Sequence, residues 1–409
     1  MIIYEKQLIQ RDYFAFFILR YDCQLMPTDF DTIFDRKNTN SLKWDAYPPD
    51  VLPLWVADMD FRTAEPILRA MHDRIAHGIF GYESDLKELR NTFVNWVYKR
   101  YHWKIQAEEI IFVPGVVTGL NLAARALTSC GDALIIQTPV YPPFFGVAHN
   151  ADLTLQQAKL SVDSHLYYQM DFDNLKKSIT AQSKLFILCN PHNPVGRVFS
   201  REELQELAEI CLINNLIIFS DEIHCDLTYE GQQHIPIAAL NEEVARNTLT
   251  FMAPSKTFNI AGLKCSMIIV QNTDLRKKIE RARAGLVGEP TLLAMSAALA
   301  AYRAGAGWLK DLINYLQSNR DFLFQYIMEN IPQIKILNPQ GTYLAWLQCR
   351  DLHLKSSPFE FFLNESKVAL TDGQIFGPGG EEFVRLNFGC PRSILIEALE
   401  RMENSLSRN

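Results

Sequence analysis

Between about residue 109 and residue 270 the chain alternates short apolar, β-rich runs with longer helix-like segments, and this alternation restricts its fold more than any other feature. "EIIFV" leads into "VVTGLNLAARALTSC"; "DALIIQ", "KLFILC", "NLIIFSD", "TLTFM" and "CSMIIV" follow, with "REELQELAEICLI" among them. Continuous apolar runs of strand length belong to strands covered on both faces, the arrangement of a parallel sheet with helices above and below. The expected fold class is therefore α/β, with a mostly parallel, doubly wound sheet. Ser200 followed by Glu203 is a capping box that starts the helix after "NPVGRVF".

Beyond residue 274 the pattern lengthens. "DLRKKIERARAGL", "TLLAMSAALAAYRAG" and "WLKDLINYLQSNRDFLFQYIMEN" predict helices separated by Gly and Pro, the last linking a large domain to a smaller one. "IKIL", "GTYLAWLQC" and "FVRLNFGC" predict strands of a small α+β unit closed by the helix "SILIEALERMEN". Residues 27–75 carry too little periodic structure for a domain of their own. They are assigned to the small domain with 316–409, leaving 76–315 as the large domain and 1–26 as an extension without an assigned role.

The 409 residues include 48% hydrophobic and 21% charged side chains, as in ordinary globular proteins. A net charge of −7, with both signs interspersed, offers no field for DNA or RNA, so no nucleic-acid partner is expected. The run "FAFFIL" near the N-terminus is too short to span a bilayer, and no membrane partner is expected. Eight scattered cysteines without a C-x-x-C pair suit a reducing compartment, and the expected location is cytoplasmic.

In an open α/β sheet, ligands bind beyond the carboxyl ends of the strands. Here "KLFILC" runs into Asn190-Pro191-His192-Asn193-Pro194, "NLIIFS" into Asp221-Glu222-Ile223-His224, and "TLTFMAP" into Ser255-Lys256. An amide, a carboxylate and an amine are thus candidates for one crevice. Upstream, "FVPGVVTGL" places a Pro-Gly turn before a helix start, which would aim the amides of Gly115, Val116 and Val117 outward as a phosphate cradle. It lacks the spacing of a dinucleotide fingerprint or a P-loop. An aromatic cofactor with one phosphate suits these pieces, and pyridoxal phosphate requires both a lysine for a Schiff base and an acid to keep its ring nitrogen charged.

Plain readings stand beside these. The glycine turn can be a simple strand-helix connection, Asn193 a rigid turn, Arg385 an ion pair at the core edge, His224 a structural residue, and Tyr82 and Tyr141 packing aromatics. A zinc site at Asp221 and His224, with His192 distant in sequence, lacks a clear third and fourth ligand, and no metal is expected.

As a set, "NPHNPVGR", "SDEIHCDL", "APSKTFNIAGLK" and "RLNFGCPR" resemble fold-type I pyridoxal-phosphate enzymes of the class I and II aminotransferase superfamily. More narrowly, "SLKWD", "LWVADMDF" and "DEIHCDL" resemble the MalY/PatB group of cystathionine β-lyases, or C–S lyases. The resemblance spans roughly 28 to 405. It implies the fold-type I architecture, a large domain that binds the cofactor, and a homodimer.

The resemblance also implies roles. Lys256 would hold the cofactor covalently and take the substrate's α-proton, Asp221 would pair with the pyridine nitrogen, and Asn193 and His224 would serve the ring's 3-oxygen. Tyr141 would stack on the ring. Gly115, Val116, Val117, Ser255 and Lys264 would hold the phosphate, joined by Tyr82 from the neighbouring subunit. Arg385 would bind the α-carboxylate, with Asn193, Asp58 and Phe61 as further substrate-side residues. Two positions depart from the wider family: Ala253 replaces a hydroxyl residue of its S-x-S-K pattern, and Lys264 replaces an arginine, giving charge without the guanidinium fork.

These residues serve two reactions equally. Expulsion of a thiolate from Cβ gives a lyase; return of the proton to the cofactor gives an aminotransferase. His224 and the "KWD" and "WVADMDF" segments turn the expectation toward a lyase acting on cystathionine or related cysteine S-conjugates. A cofactor-bearing regulator that binds another protein is a third class, for which the sequence offers no surface motif.

Overall fold

The computed structural model describes residues 29–82 and 87–408, so the extension 1–26 lies outside the described residues. Seven strands form the main sheet: β1 (Ile110–Val113), β2 (Ala133–Thr138), β3 (Thr154–Lys159), β4 (Ser183–Cys189), β5 (Ile217–Asp221), β6 (Thr248–Met252) and β7 (Ser266–Val270). Their order is β1-β7-β6-β5-β4-β2-β3, and β7 alone runs antiparallel to its neighbours.

The apolar runs follow from cover on both faces. Ile187, Phe219 and Phe251 join one core cluster with Leu120 and Ala123 of the helix Val116–Leu127. Phe186, Leu188 and Ile218 join another with Leu204 and Leu207 of the helix Arg201–Ile213. Each of the Leu, Ile and Phe side chains, fully removed from water, contributes about 1.5–3 kcal/mol. That helix starts at the expected capping box, with the Glu203 amide donating to Ser200 Oγ at 3.2 Å and the Ser200 amide to Glu203 Oε2 at 2.8 Å. Strand β3, "TLQQAK", escaped the sequence pattern because it is the sheet edge, where only Ala158 is buried.

A second sheet, fully antiparallel, orders Lys335–Ile336, Leu344–Gln348, Phe383–Asn387 and Thr371–Asp372. Leu52–Pro53 pairs in parallel with Val368–Ala369, joining the N-terminal segment to the C-terminal one. The 25-residue helix Ala306–Asn330 leads from one sheet toward the other, parted from the helix Leu292–Ala304 by Gly305 alone. A Cβ at Gly305 would collide with the Phe258 ring, two residues beyond Lys256.

Candidate active site

Strands β4, β5 and β6 end level with one another, since Cys189 pairs with Asp221 and Asp221 with Phe251. The loops they release therefore share one edge. Asp221 is buried, and Oδ1 accepts the Ile223 amide at 3.1 Å. Among the described residues no cation pairs with it within salt-bridge distance, and burial pushes its carboxyl up to about 7.

Lys256 lies in the short helix Pro254–Thr257, with Nζ donating to the carbonyl of Ala57 at 2.5 Å. Burial pulls its ammonium down to about 8; Asp58 and Asp221 oppose that pull and Arg385 adds to it. The side chain nonetheless keeps some solvent contact. Behind it, Thr257 Oγ1 donates at 3.0 Å to Asp226, whose carboxylate also accepts from Tyr101 at 2.6 Å and Trp96 at 3.2 Å and pairs with Arg100 at 2.6 Å.

Arg385 reaches the same region from the second sheet. Nη1 donates to Asn193 Oδ1 at 2.9 Å, and Nη2 to the carbonyl of Trp55 at 2.9 Å and to Thr371 Oγ1 at 3.1 Å. Its Nε is buried without a partner, and burial lowers the guanidinium to about 10. No described carboxylate pairs with it, which removes the reading of an ion pair at the core edge. A buried guanidinium without a counter-ion is prepared for an anion from outside the chain.

His224 is buried, its Nδ1 has no partner, and its ring lies 5.8 Å from that of Tyr343, edge to face. Burial, with Lys256 and Arg385 nearby, keeps the imidazole neutral. Tyr141 is partly buried and leans edge-on against Phe144 at 5.8 Å. Gly115 takes φ 118°, a backbone state that favours glycine. Its amide is not free, as the phosphate-cradle expectation required: it donates to the Val113 carbonyl at 2.9 Å. The outward amides instead begin at Val116 and Val117, where the 12-residue helix Val116–Leu127 starts without a side-chain cap. Ser266 pairs with Val113 across antiparallel strands, so the turn at Gly115 and the loop carrying Lys264 run side by side. Lys264 is exposed, with φ 56°, and Ser255 is buried.

Two substrate-side expectations fare differently. Asp58 ion-pairs with Arg36 at 2.6 Å through Oδ2, while its Oδ1 is buried without a partner. Phe61 lies in the core instead: its ring packs on Phe30 at 5.1 Å and Tyr315 at 5.5 Å, leaving 5% exposed. Tyr82 is fully exposed in its own chain.

Several residues at the site carried no signal in the sequence. Tyr343 donates to the carbonyl of Ala57 at 2.8 Å, and Asn387 to the carbonyls of Val56 and Asp58 at 2.6 and 2.7 Å. The "KWD" and "WVADMDF" segments also gain a physical meaning. Lys43, 1% exposed, pairs with Asp60 at 2.7 Å; Arg36 bridges Asp58 and Asp60; and Trp44 Nε1 donates to Asp60 at 2.8 Å. The two motifs are one knot.

Four observations test whether these side chains suit pyridoxal phosphate. A buried carboxylate lacks a cation, as a protonated ring nitrogen would supply; a buried imidazole nitrogen lacks a partner, as a ring oxygen would supply. An amine stands at the same strand edge, and uncapped helix amides lie beside a lysine. The donor set fits the cofactor.

A model of the family described as aminotransferase class I and II matches residues 49–402. The chain belongs to this family. Within the class I and II aminotransferase family it is 41% identical to the Bacillus subtilis protein named cystathionine beta-lyase PatB, over 93% of this chain and 100% of that one. Cystalysin from Treponema denticola, a crystal structure containing pyridoxal 5'-phosphate, superposes with a TM-score of 0.91 at 36% identity, covering 94% of this chain and 100% of cystalysin. A PLP-bound putative aminotransferase from Clostridium difficile has a TM-score of 0.91 at 40% identity, covering 93% and 100%.

Proposed function

We infer that this protein is a pyridoxal-phosphate-dependent carbon–sulfur β-lyase that cleaves L-cystathionine or related cysteine S-conjugates to a thiol, pyruvate and ammonia. One observation carries the chemistry: a half-buried amine, a carboxylate without a cation and a guanidinium without an anion share one region of the fold. The choice of lyase rests on relatives named cystathionine beta-lyase at 36–41% identity.

Pyridoxal phosphate, when bound, supplies a carbonyl carbon for an amine and a ring that accepts the electron pair left at Cα. Asp221 would hold the proton on the ring nitrogen, and Asn193 and His224 would face the 3-oxygen. Tyr141 would cover the ring, orienting it by stacking. Val116, Val117, Ser255 and Lys264 would hold the phosphate, with Gly115 shaping the turn rather than donating. Arg385 binds the substrate's α-carboxylate and so directs its Cα–H bond.

Lys256 then takes the α-proton as a neutral amine, a form that lowering its pKa from 10.5 to about 8 makes far more accessible near neutrality, although the ammonium still predominates below pH 8. The C–S bond breaks with its electron pair on sulfur, the proton held on Lys256 is available to the thiolate, and addition of water yields pyruvate and ammonia.

The enzyme works as a homodimer in which Tyr82 reaches the neighbouring site. Its full exposure, beside exposed Ile79 and Phe80, supports this reading. The pairing of Leu52–Pro53 with Val368–Ala369 supports a small domain built from 27–75 and 316–409 around a large domain of 76–315. All seven described cysteines are unpaired, consistent with the cytoplasm.

The test incubates purified holoenzyme with L-cystathionine and no keto acid, beside Lys256→Ala. Lys256-dependent homocysteine and pyruvate are expected. Amino transfer to an added keto acid, with no thiol released from cystathionine, cystine or S-alkylcysteines, would move the assignment to aminotransferase.

A further inference from the structure

Residues 55–61 form a strip whose carbonyl groups are held by side chains from distant parts of the chain. The Trp55 carbonyl accepts from Arg385, those of Val56 and Asp58 from Asn387, and that of Ala57 from both Lys256 and Tyr343. Farther along, Asn259 Nδ2 donates to the carbonyls of Met59 and Phe61 at 2.8 and 2.7 Å, and its Oδ1 accepts the Met59 amide at 2.9 Å. The strip is anchored from behind by Lys43, which donates to the Asp58 carbonyl at 3.2 Å and pairs with Asp60.

The spacing repeats. Arg385 is followed two residues later by Asn387, and alternate residues of a strand share a face, so both turn to the strip. Lys256 is followed three residues later by Asn259, held at φ 54°. Each charged side chain that would meet the substrate thus has a neutral neighbour tying its own segment to one piece of backbone.

Resting on the reading of Lys256 as proton acceptor and Arg385 as carboxylate binder, we infer that Asn387 and Asn259 are positioning residues that set the separation of these two groups through the strip 55–61. Neither asparagine touches substrate. The physical demand is strict: an amino acid held at its carboxylate must present Cα–H to the amine, and an error of about 1 Å costs roughly 100-fold in rate. Fixing both groups to one strip makes their separation depend on a few short hydrogen bonds. Without it, the separation would depend on the packing between two sheets.

The holoenzyme variants Asn387→Ala and Asn259→Ala test this with two readouts besides activity. The first is the affinity for glycine, which has the carboxylate and amine but nothing to eliminate, followed through the cofactor's absorbance. The second is the pH midpoint of that absorbance in the absence of ligand, which reports the environment of Lys256. Asn387→Ala is expected to weaken glycine binding and raise KM about tenfold, the equivalent of about 1.4 kcal/mol, with the pH midpoint unchanged. Asn259→Ala is expected to move the midpoint and lower kcat while glycine affinity stays within about twofold.

Loss of thermal stability with neither readout moved, or both readouts moving together in each variant, would overturn the inference. Should Asn387→Ala fail to fold, Asn387→Ser keeps a shorter donor at the site and must show the same split. The titrations are independent of what happens at Cβ, so an enzyme that proved to be an aminotransferase would leave this test intact.

Discussion

Two groups of buried and half-buried charges are built on opposite rules. In the knot of Lys43, Asp60, Arg36 and Asp58 the ion pairs are 2.6–2.7 Å long and close within the chain. At the strand edge, Asp221, Arg385 and Lys256 are held by neutral groups and lack ionic partners among the described residues. The first arrangement serves folding, because a buried charge is tolerable only when paired. The second leaves desolvation uncompensated, and the perturbed pKa values of about 7, 10 and 8 record it. What the chain omits there marks what a ligand must bring.

The largest expected effect is in the open group. Lys256→Ala should lower thiol release from cystathionine by about 10²–10⁴-fold or more, the usual range for losing a proton acceptor, with little change in thermal unfolding. Arg385→Lys comes next. Replacing a fork by a point charge should raise KM for cystathionine by roughly 10–100-fold, seen in initial rates, because charge-assisted hydrogen bonds are worth about 1.5–3 kcal/mol each.

The closed group should respond in stability instead. Asp60→Ala would strand Lys43 and cost about 3–5 kcal/mol in urea unfolding. Asp221→Asn in the cofactor-free protein should cost nothing at pH 8 and should stabilise it, since it removes an unpaired buried charge. Equal losses in the two variants would erase the distinction between the groups.

The last expectation is a pH dependence, and its sign is fixed. Asp221 has a folded-state pKa of about 7, above its ordinary 3.8, so between those values the folded chain holds a proton that the unfolded chain has lost. This contribution is complete below about pH 4 and fades as pH rises to 7. Lys256, lowered from 10.5 to about 8, acts in the reverse sense: stability returns as pH climbs through that window. Urea midpoints of the cofactor-free protein at pH 5, 7.5 and 10 should therefore fall and then rise, and Asp221→Asn should remove only the fall.

Legibility in the sequence followed the same division. Strands β4 to β7 stood out because cover on both faces makes them continuously apolar, whereas β3 did not, its exposed edge being written in Thr and Gln. Strand ends located Asn193, Asp221 and Lys256. Yet "SDEIHCDL" holds three carboxylates that look alike in sequence and have different fates. Asp221 faces the crevice without a cation, Glu222 binds His234 at 2.7 Å and Ser220 at 2.8 Å, and Asp226 gathers donors behind Lys256. The pairing of Glu222 with His234 and of Asp226 with Trp96 spans 12 and 130 residues, which no local pattern encodes. Phe61 was misplaced for the same reason, its partners Phe30 and Tyr315 lying far off in the chain.

The reversed strand β7 has one further consequence. The chain leaves the sheet at Met252 and re-enters at Ser266, so residues 253–265 form a single short excursion with Lys256 near one foot and Lys264 near the other. Under the roles proposed above, the covalent lysine and the phosphate-side lysine stand on one tether, so an insertion or deletion within 253–265 would act on both at once.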